Sequence, residues 1–492
     1  MTTNARIYHP DVRVTLYKTV KREEIAEGAP ASARYQGASS TIDLTPYVAE
    51  GGVLRVSKSV QEPAGAFSIT LGDMPYKSPL GFESMYALVE PMDFIEIRMR
   101  HGSAGLLGAG RPPIVMRGFV SSVSRNEAID TQGRPQRTVS ISGQDYGKLW
   151  QMLQILFLPG YIVGQDTLSS FRLFERFGAG FETSQSGANF LKQVIEKILN
   201  PYVKNLMPEN SPNPTEIKLE RVTSKHGRTS LSGTQNQEGT IYNLLRTYLD
   251  VGIWNELFLE DEEDGVHCVF RANPYKKVGD GEKIQDDAPD VEVIDVPGDD
   301  VISMSVERSD SDVANYFWVR GARFDMNTDV FRRQLTATGE DRDTTILDKY
   351  LNTESRLYGI RVMFVDTQMG GDDVRSFTSG LPSAEQTSRD TGLANWMNDR
   401  RKILVEQNKD NVVLERGTIR MRGNEAIRAG RYIRLNRGGF SAEYYVGRVT
   451  HDFVAFQGFF TTLSLERGMG FVERSKRDGG PDSPYLAEMR RL

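Results

Sequence analysis

The stretch Tyr445–Glu466, YVGRVTHDFVAFQGFFTTLSLE, decides how the chain is read. Tyr445, Gly447 and Val449 alternate with Val446 and Arg448. A second run through Val454, Phe456, Phe459, Thr461, Leu463 and Leu465 crosses a turn at Gln457-Gly458, so the stretch predicts a long hairpin with one face in a core. It has an earlier counterpart in Met116–Ile141, MRGFVSSVSRNEAIDTQGRPQRTVSI, with Gly118 laid on Gly447 and Thr138–Ile141 on Thr462–Leu465. Working outward, Pro91–Ile97 precedes the first hairpin as Arg428–Leu435 precedes the second. Further back, Val53–Asp73 can be laid on Val301–Gly321. The same β-unit is therefore expected twice.

At 492 residues the chain is too long for one ordinary core and predicts three or four domains. Hydrophobic residues at 39 % and charged residues at 26 % describe a water-soluble protein, and 46 glycines with 21 prolines suit an antiparallel β protein rich in turns. A formal charge of −6 is small for this length and speaks against a general nucleic-acid binder. The single cysteine, Cys268, excludes an internal disulfide and a cysteine zinc cluster. No run is long and apolar enough for a membrane span, and Met1–Pro10 lacks the pattern of an export signal.

Along the chain we expect an N-terminal β-barrel domain over 1–148 with a mobile arm at 18–40. An α+β insert follows over 149–300, then a second β-barrel domain over 301–475 carrying an insertion at 322–410, and a flexible tail over 476–492. The fold class is thus mainly β: two similar antiparallel β-barrels in tandem, an α+β insert between them and a smaller insertion in the second. Ser84–Val89 is expected to be a strand. Helices are expected over Gly143–Leu158 with Asp145 as N-cap, over Phe190–Leu199 ending at Asn200-Pro201, over Thr240–Tyr248 and over Thr391–Glu406. The glycine-rich loop His101–Pro113 is either a flexible hairpin loop or a contact finger led by Leu106 and Leu107. It lacks the ending of a phosphate cradle.

No catalytic, cofactor or metal residues stand out in the sequence. None of the five histidines has a second within ligand spacing. His267 and Cys268 are strand neighbours pointing to opposite faces. His451, in Thr450-His451-Asp452, reads as a capping or surface residue. No G-x-S-x-G, H-E-x-x-H or Walker A pattern is present. Glu256–Asp300 holds fifteen acidic residues against four basic ones, the mark of a solvated acidic face or of a lining that repels phosphate. Glu415–Arg437 holds seven arginines. Of these Arg420, Arg422, Arg428, Arg431, Arg434 and Arg437 are candidate interface residues, as a phosphate track or, better, as an electrostatic seam to a second subunit.

The ending YYVGRVTHDFVAFQGFFTTLSLERG, preceded by the Ala-Gly-x-Tyr-Ile element, resembles the C-terminal barrel of baseplate hub proteins of contractile-tailed phages, the T4-hub-like and late-control-D group. TVSISGQDYGKLWQ is similar to the point where the first barrel of such hubs passes into its helical insert. The resemblance covers Ser40–Leu158 and Val301–Phe471. It implies a homotrimer forming a pseudo-sixfold ring that joins the hexameric tail tube to the trimeric spike in the virion baseplate and lines the DNA channel. Assembly would take place in the host cytoplasm. It further implies contacts with wedge and tape-measure proteins, DNA passing without specific binding, no cofactor and no enzymatic activity. The alternatives are a tail-associated peptidoglycan hydrolase and a DNA-binding structural protein.

Overall fold

Alternation of apolar and polar residues produces twenty-two strands among the described residues of the computed structural model. It describes residues 10–18, 40–48, 52–72, 84–101, 110–129, 133, 135–155, 184–207, 216–224, 228–230, 239–320, 350–367, 399–437 and 440–470. The first third contributes β1 (Asp11–Lys18), β2 (Ser40–Asp43), β3 (Val53–Ser59), β4 (Ala66–Gly72), β5 (Phe94–Arg100), β6 (Ile114–Ile129) and β7 (Pro135–Asp145). The middle contributes β8 (Gln154–Ile155), β9 (Ser184–Ser186), β10 (Ile217–Lys218), β11 (Arg228–Ser230), β12 (Gly239–Thr240), β13 (Asn255–Glu262) and β14 (Gly265–Ala272). The last part contributes β15 (Val293–Pro297), β16 (Val301–Glu307), β17 (Tyr316–Arg320), β18 (Val362–Asp366), β19 (Glu415–Arg422), β20 (Tyr432–Arg437), β21 (Phe440–Val454) and β22 (Gly458–Met469).

Thirteen of these strands form one sheet, in the order β16-β19-β22-β21-β3-β4-β7-β6-β5-β1-β2, with β20 and β15 branching from β21. The expectation of two β-barrels is wrong. Closure would require each half to turn back on itself, but the open side of β3 is taken by β21 of the other half, from Arg448 opposite Ser59 to Val454 opposite Val53. The halves are thus consecutive stretches of a single open sheet, and β16 and β2 end the path.

The repeat itself is present in the strand order. The first half runs β3-β4-β7-β6-β5 and the second β16-β19-β22-β21-β20. One cross-strand row reads Leu54, Ile69, Ile141, Val123 in the first half, and its counterpart reads Met304, Ile419, Leu463, Val449. Both long hairpins carry a register shift at the same place, between Val120 and Ser122 and between Val446 and Arg448. Just before the preceding strand, Met92 (φ 72°) and Gly430 (φ 79°) share a left-handed backbone. Both donate their amides to the residue before the shift, Met92 to the Val120 carbonyl at 2.9 Å and Gly430 to the Val446 carbonyl at 2.8 Å.

These rows correct the sequence alignment. Ile141 matches Leu463 rather than Leu465, and Gly447 matches Ser121 rather than Gly118. The counterpart of β4 is β19 rather than β17, because a long excursion separates β16 from β19 where a short turn joins β3 to β4.

Other boundaries also move. Ser84–Val89 is a helical turn over Met85–Leu88, because the Ser84 hydroxyl caps it by accepting from the Ala87 amide. The first expected helix is cut to Gly147–Met152, since Gly143–Asp145 continue β7. Asp145 still serves its start, accepting from the Gly147 amide at 2.8 Å. Pro201 does not stop its helix: Gly187–Val194 passes through a π-helical turn, Ile195–Leu199, into Asn200–Leu206. The missing proline amide falls where the hydrogen-bond pattern is already switching. Thr240 caps Ile241–Tyr248 by accepting from the Asn243 amide. Residues 399–408 are helical, while 391–398 lie outside the described residues.

Four clusters hold the molecule. One packs the helices of the insert, including Trp150, Leu191 and Leu245, against β13 and β14 and the rings of Phe94, Phe119 and Tyr146. The second and third lie in the two halves, and a smaller fourth joins Trp254 to Phe317, Val365, Leu404 and Val405. At the junction of the halves Leu54, Val56 and Val449 are all buried, each adding about 1.5–3 kcal/mol by leaving water.

Candidate functional site: the junction of the two halves

The junction is organised by the β13–β14 hairpin of the insert. Every residue of β14 is buried and all but Glu262 in β13, although the pair carries Glu256, Glu260, Asp261, His267 and Arg271. Buried charges need partners, and both halves supply them.

From the first half, Lys58 reaches Asp145 at 2.7 Å and Asp261 at 2.5 Å. Burial alone would pull the Lys58 ammonium down, but the two carboxylates outweigh it and hold the group well above its usual range. Burial pushes the Asp261 carboxyl up, against the pull of Lys58. Gly65 leaves room for this contact, since a Cβ there would stand 2.8 Å from Asp145 Oδ2. Nearby, Arg98 grips Glu263 through two bonds of 2.9 and 3.0 Å and also donates to Glu96. Arg117 donates to Glu96 at 3.3 Å and to the Glu262 carbonyl.

From the second half, Arg431 meets Glu260 at 2.9 Å and Arg428 donates to the Asp261 carbonyl at 2.7 Å. Arg221 of the insert also reaches Glu260. Burial pushes the Glu260 carboxyl up, but the three arginines win and lower it. Arg271 bonds Glu256 at 2.9 Å and the Gly430 carbonyl at 2.6 Å, and Tyr445 donates to Glu256.

The acidic stretch and the arginine cluster are therefore partners in part: Glu260, Glu292, Asp295 and Asp300 each lie within 4.0 Å of an arginine of the cluster, while other carboxylates of the stretch pair elsewhere. Buried Glu256, Glu260 and Asp261 are not part of a solvated face. Further along the cluster, Arg434 pairs with Glu443 at 2.8 Å, Arg422 lies 3.7 Å from Asp300, and Arg420 stacks on Phe460 with 4.8 Å to the ring centre. Arg437 ends β20, opposite Phe440. Arg420 and Arg422 keep exposed side chains at the surface of β19. Leu106 and Leu107 lie outside the described residues.

His451 is not a surface residue. It is 3 % exposed, with Nδ1 3.0 Å from Thr461 Oγ1, and burial depresses it to about 4. Its neighbour Asp452 accepts from Arg55 at 2.6 Å. Cys268 is buried under the helices of the insert, as a strand neighbour pointing away from His267 should be. Glu262, Asp264 and His267 lie close enough to share a cation. Lys218 already holds Asp264 at 2.5 Å and Arg221 holds Glu262 at 2.5 Å, so the group reads as an ion-pair network. Lys58, Glu260 and Asp261 line a cleft together with Arg428 and His451, but both carboxylates are already held by basic side chains, Asp261 by Lys58 and Glu260 by Arg431. Sequence reasoning missed that Lys58 joins Asp145 and Asp261, because the two carboxylates lie 87 and 203 positions from it.

Such an arrangement defines a scaffold: two copies of a β-unit locked at fixed relation by a charged wedge. No protein-family model matches the chain, and no curated protein does. Among solved structures it is similar to the 43 kDa tail protein of prophage MuSo2 from Shewanella oneidensis, at 12 % identity over 92 % of this chain and 97 % of that one, with a TM-score of 0.44. A tail protein from Neisseria meningitidis MC58 gives 12 % identity, 92 % and 96 % coverage, and a TM-score of 0.40. The Escherichia coli c3393 protein, described as a type VI secretion component with structural similarity to T4 tail proteins gp27 and gp5, gives 8 % identity, 88 % and 77 % coverage, and a TM-score of 0.35. Among the described residues no helix is long and apolar enough to cross a membrane.

Proposed function

We propose that the chain is a structural hub of a phage-type tail baseplate. Three copies form a ring whose six β-units present near-equivalent surfaces to a hexameric tail tube on one side and a trimeric spike on the other. The observation that carries this reading is the repeated strand order, β3-β4-β7-β6-β5 and β16-β19-β22-β21-β20, within one continuous sheet. A duplicated unit lets a threefold assembly meet a sixfold one, while differences between the copies leave a true threefold face. DNA passes through the ring without specific binding. The role is mechanical rather than catalytic, which agrees with carboxylates and histidines engaged in packing and ion pairs. The exposed Arg420 and Arg422 belong to a partner surface in this reading, as do Leu106 and Leu107. The domain limits 1–148, 149–300, 301–475 and 476–492 are part of the same proposal, with β15 tying the end of the insert to β20 of the second unit.

Light scattering across a range of concentrations tests it. Three copies, or a monomer that becomes a trimer on adding the spike, are expected. A stable dimer overturns the reading, and so does muramidase or endopeptidase activity in the purified protein.

A further inference from the structure

Lys58 of β3 meets Asp261 of β13 as an amine meets a carboxyl before the two condense. Its Nζ lies 2.5 Å from Asp261 Oδ2, and Asp145 Oδ2 lies 2.7 Å from the same nitrogen. The side chains of Lys58, Asp261 and Asp145 are 14 %, 1 % and 3 % exposed, so bulk water barely reaches the group. Apolar residues surround it. Val56, Phe258 and Val449 line the adjoining cleft, and Gly65 lets the Met116 methyl, the Lys58 stem and Asp145 converge within 3.0 Å of where a Cβ would stand.

Asp261 gives only one oxygen to Lys58. The other, Oδ1, is buried without a hydrogen-bond partner. The residue lines the cleft, whose volume of about 40 Å³ leaves room for about three water molecules. A lysine, an acceptor carboxyl, a second carboxylate on the same nitrogen and an exit for water thus stand together in an apolar setting.

We propose that Lys58 and Asp261 condense into an internal amide, with Asp145 as proton carrier, so that β3 and β13 become covalently joined. Nζ attacks Asp261 Cγ, the new N–C bond forms and the C–Oδ1 bond breaks. The ammonium loses two protons, one directly to the Asp261 carboxyl and one by way of Asp145, and both leave with Oδ1 as one water. A cation and an anion become a neutral amide, so net charge is unchanged and no other reactant is consumed. The ionised pair, in which two carboxylates hold the ammonium, is the starting state. Burial disfavours both charges and pushes the Asp261 carboxyl up, towards the neutral amine and acid from which attack proceeds. Fixed contact replaces collision, which is worth an effective concentration of about 10⁵ M or more. The second half cannot repeat the reaction, because Arg308 stands at the place of Lys58 and its guanidinium keeps its proton.

The inference goes beyond the ring reading and does not depend on it. Its test is the mass of the intact, denatured full chain, measured at purification and after long incubation. Wild-type protein should become lighter than its sequence by one water, and proteolysis should release a branched peptide joining Lys58 to Asp261. Lys58→Arg keeps the charge and should keep the full mass. Asp261→Asn should still join, losing ammonia in place of water, a change that no ion pair produces. Asp145→Asn should slow the joining about a hundredfold. Wild-type protein at full mass with no branched peptide overturns the proposal, whatever the variants do. A water loss that survives Lys58→Arg overturns it too, as does a branch at Lys18, which Glu90 and Asp93 hold at 2.8 Å each. Joining at the wild-type rate in Asp145→Asn removes Asp145 from the reaction. A trimer or a dimer in light scattering bears only on the ring.

Discussion

The two halves share a strand order, yet their outer edges meet different fates. At the start of the first half β3 lies under β21, and Leu54 and Val56 are sealed from water. At the start of the second, β16 has β19 on one side only, and Met304 and Val306 are half-exposed. The same contrast runs through the charged positions. Lys58 is shut in with Asp145 and Asp261, whereas Arg308 is 35 % exposed and 4.0 Å from Glu415. His451 is buried, while Arg125 at the matching place on β6 is exposed. A repeated backbone thus tolerates opposite chemistry where only one copy is covered, and burial rather than topology determines how much a residue is worth.

The largest effect should come from Lys58. Lys58→Met strands two buried carboxylates and should cost about 3–5 kcal/mol, read as a lower midpoint in urea unfolding. Arg308→Met in the isolated chain should stay within about 1 kcal/mol, since an exposed pair contributes little. Equal losses at the two sites would break the comparison.

Next comes pH. His451 is held neutral by burial, with its folded value at about 4 against 6.5 unfolded. As pH falls below 6.5 the unfolded chain takes up a proton that the folded chain refuses, so stability declines until about pH 4. This group's share of the loss is roughly 3 kcal/mol. Thermal melts from pH 7 to 4 should show a decline that His451→Leu flattens. Arg125→Leu should leave the slope unchanged.

The smallest difference separates Gly430 and Met92, which share a left-handed backbone. A Cβ at Gly430 would lie 2.6 Å from Arg271 Nη2. Gly430→Ala should therefore cost about 1–3 kcal/mol from backbone strain and displaced packing. Met92→Gly relieves strain but frees the unfolded chain and removes a half-buried side chain packed on the insert core, so it should cost about 1–2 kcal/mol. A neutral Gly430→Ala would show that the Arg271 contact is slack.

Much of the frame was legible in the sequence, for a physical reason. Long hairpins need alternation and a turn, and Tyr445–Glu466 and Met116–Ile141 display both. The alignment slipped by two residues at Ile141 and Leu54 because period-two alternation looks the same after a two-residue shift. The barrels were misjudged because closure depends on which edge meets which, and β3 finds its neighbour close to 400 positions away. Local pattern carries no trace of that choice. Likewise the acidic stretch and the arginine cluster each stood out, but read separately they suggested a solvated face and an outward seam. Only the fold shows Arg428 and Arg431 meeting Glu260 and Asp261. Lys58 itself left no signal, because a lone lysine in an alternating strand is ordinary.

The β3–β21 contact also sets a timetable for synthesis. The first β-unit leaves the ribosome early, but the strand that covers its edge is made near the end of the chain. At about 5–20 residues per second, that edge waits for tens of seconds. Overproduced chains in this interval are exposed to pairing with one another, so a lower expression level or a bound chaperone should raise the soluble yield.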